Sequence, residues 1–125
     1  MIERLLAPGT FHQAPYCHAA RAGGFLFVTG QIAADPATGD YVLGDVETET
    51  RRVMDNLVLV LESAGYGLSD VVAARAFLTD FGDYDAFNRI YAEYLGAHLP
   101  TRTCVGVTAL AAGARVEVDL VAYRD

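Results

Sequence analysis

The sequence predicts an α+β fold: a mixed sheet with two helices packed on one of its faces. Three observations lead there. Residues 45–64 and 84–95 carry apolar side chains at helical spacing, each as one broad stripe. The runs at 25–29 and 71–78 are apolar on both faces, as strands covered on both sides are. Glycine, proline and aspartate clusters separate these segments, giving the order β-β-α-β-α-β-β without repeats, low-complexity runs or linkers. At 125 residues the chain is expected to form a single domain, residues 1–125.

Residues 16–22 read as a first strand, and Gly23-Gly24 as a hairpin turn into the second at Phe25. Residues 1–15 are interrupted by Pro8, Gly9 and Pro15, so no regular element is expected there. That second strand leaves through Thr29-Gly30-Gln31, where glycine either permits a bulge or lets a ligand approach the backbone. In the first helix Val46, Val53, Leu57, Val60 and Leu61 form the stripe. Glu47 and Glu49 suit its positive N-terminal end, and Gly65-Tyr-Gly67 stops it. Arg75 is a lone charge in the apolar run 71–78, read as a structural ion pair or a subunit contact. Asp83 is the expected N-cap of the second helix, whose three tyrosines read as packing residues with wet hydroxyls.

The last two strands, residues 99–108 and 114–123, are expected to pair as a hairpin through the turn at 110–113. Side chains alternate along a strand. Such a hairpin therefore gathers Arg102, Cys104 and Glu117 on one face: a fixed cation, a thiol and a carboxylate on otherwise apolar sheet. Two readings of Arg102 are open. It is paired with Glu117 or Asp119 inside the fold, or its rigid fork holds a small carboxylic acid from outside. In the second case Glu117 serves as a proton-transfer group, made more basic by a partly dry setting. Cys104 is a small buried residue or a nucleophile, with no histidine near it in sequence.

Composition narrows the partners. With 53% hydrophobic and 20% charged residues, a monomer would expose a large apolar area, so self-association is expected. The net charge of −7 and nine scattered basic residues argue against a nucleic-acid partner. No apolar run is long enough to span a membrane, and the first residues do not read as a signal peptide. Cys17 and Cys104 lack metal-like spacing, and a reduced, cytoplasmic chain is expected.

The run Pro100-Thr-Arg-Thr-Cys-Val-Gly-Val-Thr-Ala-Leu-Ala-Ala-Gly-Ala-Arg-Val-Glu-Val resembles the C-terminal signature of the RidA (YjgF) family, the reactive intermediate deaminases. Ala14-Pro-Tyr16, Phe25-Leu-Phe-Val-Thr-Gly-Gln-Ile32 and Phe87-Asn88 match the same family in order, so the resemblance covers nearly the whole chain. It implies a chorismate-mutase-like mixed sheet with two helices on one face. Three copies would form a homotrimer with a barrel-like core and ligand clefts between subunits. It implies hydrolysis of 2-imino or enamine acids, such as 2-iminopropanoate and 2-iminobutanoate, to 2-keto acids and ammonia.

By the same resemblance, Arg102 binds the substrate carboxylate, which also meets the backbone at Gly30, beside the Thr29 hydroxyl. Glu117 activates a water with help from the Cys104 main chain. Tyr16 lines the rim, and Asn88 forms a wall. No metal or other cofactor is implied, and His12, His18 and His98 are too dispersed to require a metal. Three features depart from the family pattern: Thr29 where serine is common, a short loop at 96–100, and Cys17-His18 after Tyr16. Thr29 and the loop leave room for a different enamine substrate, and the resemblance, to a family that includes members without a clear deaminase role, also leaves open a non-catalytic trimer that binds small carboxylates. Ribonuclease activity, ascribed to some relatives, is at odds with the charge.

Overall fold

The computed structural model describes residues 1–11 and 14–125; His12 lies outside them. Six strands form one sheet: β1 (Ile2–Leu5), β2 (Ala19–Ala22), β3 (Phe25–Gln31), β4 (Val71–Leu78), β5 (Thr101–Gly106) and β6 (Val116–Tyr123). Two helices, α1 (Val46–Ser63) and α2 (Tyr84–Leu95), pack against one face. The strand order is β1-β2-β3-β6-β4-β5, and every pairing is antiparallel except β4–β5.

The expected C-terminal hairpin does not form. β6 lies between β3 and β4, and β5 pairs in parallel with the far side of β4. Parallel neighbours need a crossover, and α2 provides it between β4 and β5. The burial of each strand accounts for its position. In β6, Val116, Val118, Leu120 and Ala122 are fully buried, which suits the middle of a sheet. β5 has no fully buried residue and takes the edge. The connection from β5 to β6 is also too long for a tight turn, and it bends through Ala112 and Gly113, both at positive φ.

A second correction concerns the N-terminus. Residues 2–5 form an edge strand, Ile2 opposite Ala22 and Leu5 opposite Ala19, despite the breakers that follow. The regular part of β2 starts at Ala19 rather than Tyr16.

Helix α1 follows its sequence signals. Asp45 caps it by accepting a 2.8 Å hydrogen bond from the Thr48 backbone N–H, and Gly65, at φ 84°, turns the chain out of it. Glu49 goes beyond a helix-end charge. It is 1% exposed, and its carboxylate accepts from the backbone N–H of Arg115 at 2.8 Å and of Gly44 at 3.2 Å. Asp83 does not cap α2. Its side chain makes no capping hydrogen bond and lies 3.7 Å from Arg115 Nη1, while Asp80 holds the preceding turn by accepting from Gly82 N–H.

The core lies between the helices and the inner face of the sheet, where Leu26, Val28, Ala74, Ala76, Leu78, Val118 and Leu120 meet Val53, Met54, Leu57, Leu61, Phe87 and Leu95. The outer face has no helix on it. There Phe25, Phe27 and Tyr123 remain 45, 49 and 40% exposed, with the Phe25 and Tyr123 rings 4.9 Å apart.

Candidate active site

Arg102 lies on the inner side of the edge strand β5, opposite Ala74, where α2 runs alongside. Tyr84, Phe87 and Tyr91 recur along one face of α2 and surround the guanidinium, their ring centroids 5.6, 5.6 and 4.9 Å from its central carbon. Arg102 Nη1 donates to Asn88 Oδ1 at 2.7 Å, and Nη2 donates to the Tyr84 hydroxyl at 3.1 Å. Among the described residues Arg102 has no carboxylate partner, although the chain carries 16 acidic residues. Of the two readings of this arginine, the internal ion pair is therefore excluded within the chain. Two of the five guanidinium N–H donors are engaged, which leaves three for a ligand.

Cys104, two residues along, also faces inward and packs against the core. Burial pushes its thiol up from the ordinary range, and the Arg102 charge opposes this. Tyr91 is buried, and its hydroxyl finds no hydrogen-bond partner among the described residues.

Glu117 lies elsewhere. It is on β6, opposite Phe77, on the outer face, so the expected grouping of Arg102, Cys104 and Glu117 on one face is wrong for a single chain. The hairpin that would have aligned them is absent, and β4 stands between β5 and β6. Gly30 is what Glu117 does meet. The β3–β6 register shifts between Val28 and Gln31, and a Cβ added at Gly30 would overlap the Glu117 carboxylate. Any side chain there would displace the Glu117 carboxylate. Among the described residues the Glu117 side chain makes no hydrogen bond, and burial, followed by the Asp119 charge, raises its carboxyl above the ordinary range while Arg75 opposes.

Tyr16, Thr29 and Gly30 share a cleft of about 890 Å³ on this outer side, bounded also by Cys17, Phe27, Arg75 and Asp119. The seven proposed site residues thus fall into two groups. Arg102, Cys104 and Asn88 line the inner edge at α2, and Tyr16, Thr29, Gly30 and Glu117 occupy the outer face. Sequence reasoning missed Tyr84, whose hydroxyl orients Arg102; its place on the Tyr84–Phe87–Tyr91 face of α2 was the available signal. Among the described residues no group of three or more His, Cys, Asp or Glu is placed to hold a metal ion, and no helix is long and apolar enough to cross a membrane.

The family described as endoribonuclease L-PSP matches residues 8–124. The chain belongs to this family, the RidA/YjgF family. A RutC family protein of Pyrococcus horikoshii is 42% identical over 111 residues, which are 89% of this chain and 88% of that protein. The human 2-iminobutanoate/2-iminopropanoate deaminase is 33% identical over 124 residues, 99% of this chain and 89% of that one. The crystal structure of E. coli TdcF with bound serine matches with a TM-score of 0.88 at 27% identity, covering 98% of both chains. The six-stranded mixed sheet with two helices is the RidA fold, and the order of its strands corrects the hairpin expected from sequence.

Proposed function

We propose that this RidA-family chain hydrolyses 2-imino and enamine acids to 2-keto acids and ammonia, in clefts where Arg102 of one copy faces Glu117 of the next. The observation that carries the reading is Arg102 itself: a caged, pre-oriented guanidinium with no carboxylate of its own chain and three donors to spare. An incoming carboxylate takes two of those donors in parallel. The human relative named as an imine deaminase and the serine bound to the E. coli relative support a substrate with an amino-acid-like carboxylate.

The two groups of residues belong to opposite faces of one sheet, so a second copy is needed to bring them together. A ring-forming, head-to-tail contact does this, and the uncovered Phe25, Phe27 and Tyr123 supply apolar area for it. A homotrimer is the proposed assembly. Tyr16 closes the rim, the Gly30 backbone meets the carboxylate, and Asn88 holds Arg102 in place.

The chemistry asks little of the protein, because an imine carbon is already electrophilic. With the carboxylate held, Glu117 accepts a proton from a water as its oxygen adds to the imine carbon, and the π pair of C=N moves to nitrogen. The protonated glutamic acid returns that proton to nitrogen. Glu117 next takes the carbinolamine hydroxyl proton and passes it to the nitrogen, and as an oxygen pair forms the C=O of the ketone the C–N bond breaks with its pair leaving on ammonia. A carboxyl held above its usual range suits this exchange near neutrality. All nine basic residues are arginines, so no lysine amine is available to form a Schiff base with the substrate.

The test is coupled hydrolysis. Imines generated from several amino acids by an amino-acid oxidase should decay faster with the protein, and ammonia should appear in step. Binding of keto acids with no acceleration of imine decay would contradict the proposal and favour a carboxylate-binding trimer.

A further inference from the structure

One residue pair on the outer face has no part in the mechanism above. Arg75 on β4 stands directly opposite Asp119 on β6 and grips it at two points. Its Nε donates to both carboxylate oxygens at 3.1 Å, and its Nη2 donates to Oδ2 at 2.6 Å. Asp119 is two residues from Glu117 along the same strand and on the same face. The guanidinium also lies 5.8 Å from the ring of Phe77, the residue directly opposite Glu117. Arg75 and Asp119 both line the cleft that holds Tyr16, Thr29 and Gly30.

An ion pair whose arginine is 67% exposed contributes little to folding. Its position matters more. Among the described residues the charged groups that face Glu117 are Asp119 from β6 and Arg75 from β4, and the segment before β2 adds the titratable Tyr16 and Cys17 to the same cleft. The neighbouring positions, Thr29, Gly30 and Gln31 on β3, Phe77 on β4, and Thr103 and Val105 on β5, carry no titratable group. The Arg75 fork is turned to Asp119 through Nε and Nη2 and makes no hydrogen bond to Glu117.

We propose that Arg75 and Asp119 are positioning residues that set the proton affinity of Glu117. Asp119 keeps a negative charge one ladder step away, and Arg75 cancels most of it while staying turned from Glu117. The result is a carboxyl that gives up its proton later than an isolated one, yet is not locked as a neutral acid. The direction of the Glu117 shift, with burial first, Asp119 adding and Arg75 opposing, agrees with this arrangement. The inference takes its catalytic meaning from the proposed deaminase reading, but the coupling itself is electrostatic and is measurable without turnover.

The experiment follows the Glu117 carboxyl carbon by carbon-13 NMR titration of the full-length assembled protein, with Glu117→Gln identifying the signal, beside pH–rate profiles for imine hydrolysis. Asp119→Asn removes the negative neighbour and frees Arg75, so the Glu117 midpoint should fall by about half to one pH unit. Arg75→Gln leaves Asp119 uncompensated, so the midpoint should rise by a similar amount. The double variant should return most of the way to wild type, and Arg75→Lys, which keeps the charge, should stay near it. Arg102 of a neighbouring copy is present in all of these variants and does not contribute to the differences. Midpoints that stay within about 0.2 unit of wild type, or that move in the same direction in both single variants, would overturn the inference. If the midpoints move as stated while no variant hydrolyses imines, the coupling stands and the deaminase reading falls. If hydrolysis is present but the midpoints do not move, the coupling alone falls.

Discussion

Arg102 and Glu117, the two charged residues on which the proposed chemistry depends, lie on opposite faces of the same sheet with strand β4 between them. Arg102 is turned to α2, and Glu117 is turned to the uncovered face beside Gly30. No single copy brings them to one substrate, so catalysis and assembly are predicted to be inseparable.

Arg102→Ala removes the two-point carboxylate contact and should lower kcat/KM by about two to three orders of magnitude, with the assembly intact by sedimentation. Tyr84→Phe keeps the ring beside the guanidinium and deletes only the hydroxyl that accepts from Nη2. It should raise KM about threefold to tenfold with kcat nearly unchanged, because a looser Arg102 weakens ground state and transition state alike. A fall in kcat at constant KM would contradict that role.

Gly30→Ala places a methyl group where the Glu117 carboxylate lies. The carboxylate end must move, at small cost to stability, but it can no longer reach the water. Activity should fall at least about a hundredfold, and a thermal melt should change little.

The raised Glu117 carboxyl also links pH to stability. Its folded form holds a proton more tightly than its unfolded form, so its contribution is most favourable below the ordinary carboxylate range and is lost as pH rises through the folded value. Glu117→Gln should therefore melt higher than wild type at neutral pH while losing activity. The difference should shrink as pH is lowered below the unfolded value, as differential scanning calorimetry can show.

Glu49 gives the opposite kind of prediction. Its buried carboxylate takes the backbone N–H groups of Gly44 and Arg115, joining the loop before α1 to the start of β6. Glu49→Ala leaves both donors without that acceptor and should cost about 2–4 kcal/mol in a denaturant melt, with the inactivity that follows being a folding loss.

How much of this was legible in the chain differs from element to element. The α1 stripe from Val46 to Leu61, its stop at Gly65 and the Gly23-Gly24 turn were readable because each is a local signal with a local cause. The position of β6 was not. The alternation Val116-Glu-Val-Asp-Leu-Val-Ala-Tyr123 says which residues share a face, but says nothing of which strand lies alongside, and sequence neighbours were paired by default. That one error moved Glu117 onto the wrong side of Arg102. Strand β1 escaped notice because four half-polar residues carry almost no pattern. The roles of the site residues came from the family resemblance, whereas Tyr84 looked like any other apolar position on an amphipathic helix until its hydroxyl was seen beside Arg102. Arg75 was legible as a structural ion pair, and Asp119 proved to be its partner.

The shared cleft is tested most directly by mixing two inactive variants. Arg102→Ala and Glu117→Gln, separately purified, are denatured together and refolded, and the mixed assemblies are confirmed by mass. If each site takes Arg102 from one copy and Glu117 from the next, random mixing leaves about a quarter of the sites intact. Imine hydrolysis should then return to about a quarter of the wild-type rate. Mixed assemblies that stay as inactive as either parent would contradict the account.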